Sequence, residues 1–63
     1  MQLVELEHAD GYRLWLNPGQ VVTLTAVPGT GTLTEVLLSI GKQYRVRGSL
    51  AETAAKLNNA GKN

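Results

Sequence analysis

Gln2-Leu-Val-Glu-Leu-Glu-His-Ala-Asp-Gly-Tyr-Arg-Leu-Trp-Leu16 is the stretch that decides the fold. Apolar and polar residues alternate on both sides of Ala9-Asp10-Gly11, and this period of two is typical of half-buried β-strands. The stretch therefore predicts a β-hairpin whose facing depends on the length of its loop.

The loop length determines which side chains reach the core. A two-residue Asp10-Gly11 turn would pair Glu7 with Leu14 and so place a carboxylate on the apolar face. A three-residue loop, in which the glycine takes a positive φ after a type I turn, instead pairs Leu6 with Leu14. We therefore predict the three-residue loop.

This register has consequences on both faces of the hairpin. It pairs Val4 with Leu16 on the apolar face and sets Glu7 opposite Arg13 as a cross-strand ion pair. It also leaves Trp15 on the polar face. A large exposed aromatic requires a covering surface, which is the C-terminal helix, a second subunit or a binding partner.

Turn residues divide the rest of the chain. Asn17-Pro18-Gly19 is a turn signal, and Pro28-Gly29-Thr30-Gly31 predicts a type II turn. The segment over 32–40 is apolar on both faces, which favours a central strand. We expect strands at about residues 2–8, 12–16, 20–27, 32–40 and 43–47 and a helix over about 50–58.

The C-terminal helix has a clear start. Ser49-Leu-Ala-Glu52 forms a capping box, in which serine and glutamate each satisfy the other's backbone N–H. Leu50, Ala54 and Leu57 form one apolar stripe. Asn58-Asn59 is expected to stop the helix.

The order of elements indicates a mainly β protein. Five strands joined by short hairpin connections predict a small antiparallel five-stranded sheet or open barrel with one short C-terminal α-helix. In the last strand Tyr44 and Val46 face one way, and Arg45 and Arg47 face the other.

Composition bounds the function. A chain of 63 residues forms one small domain with a thin margin of stability. It has no cysteine and a single histidine, His8, which exclude disulfides and thiolate-ligated metals and predict neither metal nor cofactor. No apolar run of about 18 residues and no signal peptide is present. We expect a mature, complete, cytoplasmic protein without a membrane span.

Candidate catalytic groups do not converge. Strand alternation points Glu7 and His8 to opposite faces, so these residues and Asp10 lack a converging metal or acid–base geometry. Ser49 is explained as a helix cap. Gly29-Thr30-Gly31 lacks the spacing of a phosphate-binding loop. We predict a protein that is not an enzyme.

The charges are unevenly distributed. Residues 1–41 hold one cation against four carboxylates, whereas residues 42–63 hold five cations against one. One interpretation is that the two halves interleave their charges on one surface. The other is a basic patch that faces an acidic partner, a phosphate backbone or a neighbouring subunit.

Several segments carry a family resemblance: Asp10-Gly-Tyr-Arg-Leu-Trp-Leu-Asn-Pro18, Val21-Val22, Gly41-Lys-Gln-Tyr-Arg-Val46 and Ser49-Leu-Ala-Glu52. The chain resembles the small flagellar and swarming-motility proteins of the FlbD/SwrD type over nearly its whole length. The resemblance implies a non-enzymatic accessory protein that acts on the flagellar machinery by contact. It offers no catalytic residues.

Our leading hypothesis is a protein–protein interaction module that works as a homo-oligomer, as a motility accessory protein or as a small regulator or inhibitor of a larger protein. Trp15 would anchor the contact, and Arg13, Arg45 and Arg47 would orient it. The alternative is a small β-barrel that binds single-stranded nucleic acid through the same four residues.

Overall fold

Five β-strands and one helix succeed one another along the chain, as expected for a mainly β protein with a C-terminal helix. The computed structural model describes residues 2–61. The strands are β1 (Val4–Glu7), β2 (Arg13–Leu16), β3 (Val21–Ala26), β4 (Leu33–Leu38) and β5 (Gln43–Arg47), and the helix α1 spans Leu50–Gly61. A 3-10 turn over Pro18–Gln20 connects β2 to β3. The predicted fold class is confirmed.

The first hairpin closes with the predicted three-residue loop. The His8 N–H donates to the Tyr12 carbonyl at 2.7 Å, and the Gly11 N–H donates to the His8 carbonyl at 2.8 Å. Gly11 has a φ of 103°, a conformation that a glycine adopts without a Cβ clash. The register that follows is Val4–Leu16, Glu5–Trp15, Leu6–Leu14 and Glu7–Arg13, as predicted.

The hairpin between β4 and β5 repeats this loop. The Leu38 N–H donates to the Lys42 carbonyl, and the Gly41 N–H donates to the Leu38 carbonyl, each at 2.9 Å. Gly41 has a φ of 89°. Ile40 therefore lies in the loop, and β4 ends two residues before the predicted boundary. The strand-forming tendency of isoleucine yields here to the loop that the following glycine permits.

The strands form two antiparallel sheets, with orders β1-β2 and β3-β4-β5. One bridge between His8 and Val46 joins β1 to β5, so the spatial order is β2, β1, β5, β4, β3. Consequently β2 and β3 are the two free edges, and the expected hairpin between them does not form. The Asn17 side chain accepts a hydrogen bond from the Gly19 N–H and thereby starts a 3-10 turn that leads the chain out of the first sheet.

The core lies between the two sheets and the helix. Val36 and Val46 are fully buried, and Leu6 is 2% exposed. The buried apolar residues are Val4, Leu6, Leu16, Val36, Val46 and Leu57. Thr34 is also buried, and its hydroxyl donates to the Gly48 carbonyl at 3.0 Å, so its polar atom is paired.

The capping box at the start of α1 is confirmed. The Glu52 N–H donates to the Ser49 hydroxyl at 3.1 Å, and the Ser49 N–H donates to the Glu52 carboxylate at 2.9 Å. The helix continues past Asn58-Asn59, so the predicted stop at these asparagines is wrong. No non-glycine residue among those described has a positive φ, which shows that neither asparagine forms a left-handed cap.

Ser49→Ala removes the hydroxyl that accepts from the first turn of the helix. We expect the free energy of unfolding to fall by about 1 kcal/mol, whereas Ser49→Asp should retain most of the wild-type value. Urea denaturation followed by circular dichroism measures both. An alanine variant as stable as the aspartate variant would contradict the role of this cap.

Glu52→Gln tests the charge in the same cap. Hydrogen bonds from the backbone and then the side chain of Ser49 lower the pKa of Glu52 from its ordinary value of 4.5. The carboxylate therefore stabilises the fold above pH 4.5, and this contribution is lost as the pH falls through the lowered folded-state pKa. Glutamine preserves the capping geometry but does not titrate.

We therefore expect Glu52→Gln to lose less stability on acidification than the wild type. Urea denaturation at neutral pH and at about pH 3 supplies the comparison. Equal losses in the two proteins would show that the Glu52 carboxylate does not contribute to the acid sensitivity of the fold.

Candidate functional site

An apolar groove lies between β2 and the loop that joins β4 to β5. Its volume is about 440 Å³, and side chains from β2, the β4–β5 hairpin and the turn after β2 line it. We call it the Trp15 groove, and its principal apolar residues are Tyr12, Leu14, Trp15, Leu38, Ile40 and Tyr44. None of the residues that line this groove carries a charge.

Three large apolar side chains at the groove are exposed to solvent. Ile40 is 71% exposed, Trp15 is 61% exposed and Tyr12 is 53% exposed. Single exposed apolar residues are ordinary on protein surfaces, but a contiguous patch around a concave surface is characteristic of binding sites. The helix α1 lies against β1, β3, β4 and the 3-10 turn rather than over Trp15.

Backbone geometry explains why these side chains meet. Trp15 lies opposite Glu5 in the first hairpin, on the face away from Leu6 and Leu14. Ile40 is held outside the sheet by the three-residue loop that ends at Gly41. Both positions follow from hairpin registers in which a one-residue slip would exchange the faces of the strand.

Ring contacts hold the aromatic side of the groove. The His8 imidazole stacks on the Tyr12 ring with centroids 4.3 Å apart and planes 10° from parallel. The Tyr44 ring meets the same imidazole edge-on at 6.4 Å. These contacts reduce the rotational freedom that Tyr12 and Tyr44 would lose on binding a partner.

Arg13 lies outside the groove. Its guanidinium contacts the Glu5 carboxylate at 3.0 Å, and this hydrogen bond and charge raise the pKa of Arg13. The predicted ion pair between Arg13 and Glu7 is therefore wrong, although these two residues do lie opposite each other. The long arginine side chain reaches the diagonal neighbour instead, as long side chains can on a sheet.

The other two predicted arginines are also paired with carboxylates. Arg45 contacts Glu35 at 3.3 Å, and Arg47 contacts Glu7 at 3.7 Å. Arg47 also donates to the Ala9 carbonyl at 3.2 Å. Neither residue lines the Trp15 groove.

Two of these ion pairs support the interleaved interpretation of the charges. Arg45 and Arg47 belong to the basic half of the sequence, and their partners Glu35 and Glu7 belong to the acidic half. The structure thus separates the predicted binding residues: Trp15 lies in the groove, and the arginines lie in ion pairs elsewhere. Because the pairs are exposed, each stabilises the fold only slightly.

Sequence reasoning missed three residues of the groove: Tyr12, Ile40 and Tyr44. Tyr12 has a usable signal, because it follows the loop of a hairpin whose register can be predicted. Ile40 and Tyr44 reach the groove only because the second hairpin folds beside the first. No local pattern encodes that arrangement.

His8 has a structural role at the end of the hairpin. Its Nδ1 accepts a hydrogen bond from the Asp10 N–H at 3.0 Å. Within residues 2–61, no three histidine, aspartate or glutamate side chains are grouped as metal ligands would be. The same part of the chain contains no helix that is long and apolar enough to cross a membrane.

Comparisons with known proteins find no match to this chain among family models, curated proteins or solved structures.

Trp15→Ala should change stability little, because most of the indole is already in solvent. We expect a loss below about 1 kcal/mol, against about 2–5 kcal/mol for Leu6→Ala in the core. Urea denaturation followed by circular dichroism compares the two. If Trp15→Ala cost as much as Leu6→Ala, the indole would pack in the core and the hairpin register would be wrong.

Proposed function

We propose that this chain is a non-catalytic protein–protein interaction module that binds another protein through the Trp15 groove. The observation that carries the proposal is the cluster of Tyr12, Trp15 and Ile40, each more than half exposed, around an uncharged groove. Covering such side chains contributes about 1.5–3 kcal/mol each through the hydrophobic effect. Tryptophan and tyrosine are also the residues that most often dominate interface energies.

The groove favours an apolar segment of the partner. Charged side chains are absent from its lining, so an entering charge would lose its hydration without gaining an ion pair. Asn17 and Gln20 lie at one end of the groove and offer amide groups to the partner's backbone. A partner that inserts an aliphatic or aromatic side chain between Trp15 and Ile40 fits this chemistry.

The placement of the arginines favours protein over single-stranded nucleic acid. A nucleic-acid surface combines stacking aromatics with cations that follow the phosphates. Here Arg13, Arg45 and Arg47 each contact a carboxylate and lie outside the lining of the groove. Nucleic-acid binding is therefore the alternative that the experiment below must exclude.

The resemblance to FlbD/SwrD-type proteins favours a role as an accessory protein of the motility machinery. A small regulator or inhibitor of a larger protein would use the same contact mode. We place the module in the cytoplasm and propose that it works as a homo-oligomer, since a 63-residue chain has a thin margin of stability alone.

The test uses Trp15→Ala and Ile40→Ser, with Leu3→Ser as the matched control. Leu3 is 51% exposed and lies outside the groove lining, so its substitution removes an exposed apolar side chain elsewhere. Partners are captured from a nuclease-treated lysate and identified by mass spectrometry. Each candidate is then purified, and its affinity for the four proteins is measured by calorimetry at low and high salt.

We expect the wild type and Leu3→Ser to bind one purified protein equally, and the two groove variants to bind it at least about tenfold more weakly. The affinity should depend little on salt. Equal binding by all four proteins would contradict the groove as the site. Binding only to nucleic acid, with an affinity that falls steeply with salt, would favour the alternative.

A further inference from the structure

The outer edge of β3 is unprotected. β3 pairs with β4 on one side and ends the sheet on the other. Its residues, Val-Val-Thr-Leu-Thr-Ala over Val21–Ala26, include no charge and no proline, and four of the six are exposed. Free edges in natural sheets are usually protected by charges, prolines or short length, because their peptide groups otherwise pair with another strand.

The hydrogen-bond pattern shows which peptide groups face outward. The Val27 N–H donates to the Leu33 carbonyl at 3.1 Å, so this pair is a hydrogen-bonded one. Hydrogen-bonded and non-hydrogen-bonded pairs alternate along an antiparallel ladder. The ladder is regular from Thr23 to Ala26, and therefore Leu24 and Ala26 direct their N–H and C=O groups away from β4.

The sequence of this edge is nearly palindromic. Val21-Val22-Thr23-Leu24-Thr25-Ala26-Val27 has the same residues on both sides of Leu24 except for one valine–alanine exchange. A two-fold axis requires the surface to be complementary to itself. If two copies of β3 run antiparallel about Leu24, Thr23 of each copy faces Thr25 of the other. Pairs of β-branched residues in this position stabilise a sheet.

We propose that β3 pairs antiparallel with β3 of a second copy of this chain, about a two-fold axis at Leu24. The two three-stranded sheets then join into one sheet of six strands. Leu24 of each copy exchanges two backbone hydrogen bonds with its counterpart. This inference rests on the homo-oligomer in the proposed function and identifies its interface.

Electrostatics favours a second copy as the occupant. An edge without charges meets itself with no like-charge contact, and the whole chain carries a net charge of only +1. The other free edge, β2, is shorter and contains Arg13, which would face positive charge in some self-pairings. Pairing through β3 also leaves the Trp15 groove open to a different protein, because β2 and β3 lie at opposite ends of the strand order.

The test compares two double variants that differ only in the sign of one introduced charge. In the proposed register, Thr23→Lys with Thr25→Lys sets lysine opposite lysine at two symmetric pairs. Thr23→Glu with Thr25→Lys instead sets glutamate opposite lysine at both. Thermal unfolding first establishes that both variants fold, and sedimentation equilibrium over a concentration series extending into the millimolar range then gives the dimer dissociation constant.

We expect the wild type and the opposite-charge variant to dimerise, and the like-charge variant to dimerise at least about tenfold more weakly than the opposite-charge variant. Hydrogen exchange adds a second readout: the amides of Leu24 and Ala26 should exchange slowly only in the dimer. Trp15→Ala should dimerise as the wild type does.

The contrary outcomes separate this inference from the proposed function. A wild type that stays monomeric throughout the series would overturn the homo-oligomer and this interface together. Equal dimerisation by the two double variants would overturn the β3 register while the homo-oligomer stands. Loss of the dimer in Trp15→Ala alone would move the interface to the groove.

Discussion

The hydrogen bond from the His8 N–H to the Tyr12 carbonyl, 2.7 Å long, sets the register of the first hairpin. The loop that it closes depends on Gly11, whose φ of 103° would be strained for other residues. A slip of one residue would turn Leu6, now 2% exposed, away from the core or bring a carboxylate into it. A core this small cannot accommodate an unpaired buried charge, so the fold depends on this register.

The same constraint produces the candidate site. When the apolar positions of β2 face the core, Trp15 must lie on the other face, opposite Glu5. The second hairpin repeats the loop and leaves Ile40 in solvent beside it. The 3-10 turn after β2 then carries the chain into the other sheet, so no neighbouring strand covers this edge. Fold and groove therefore share one physical cause.

The sequence predicted the features that depend on neighbouring residues. The hairpin loop, its register and the capping box of Ser49 and Glu52 each follow from contacts between residues close along the chain. The separation of β2 from β3 did not follow, because the Asn17 side chain that starts the 3-10 turn competes with an equally plausible hairpin turn. The arginines were grouped with Trp15 on facing alone, whereas the bridge that joins β1 to β5 brings Arg47 to Glu7.

Fluorescence of Trp15 tests the central claim most directly, because it is the only tryptophan of the chain. In dilute purified protein, the account predicts the red-shifted emission of a solvated indole, quenched by acrylamide nearly as efficiently as free tryptophan. Addition of the bound partner should shift the emission to the blue and protect it from the quencher. A blue-shifted emission that acrylamide cannot reach in the dilute chain alone would contradict the register, and with it the Trp15 groove as a binding site.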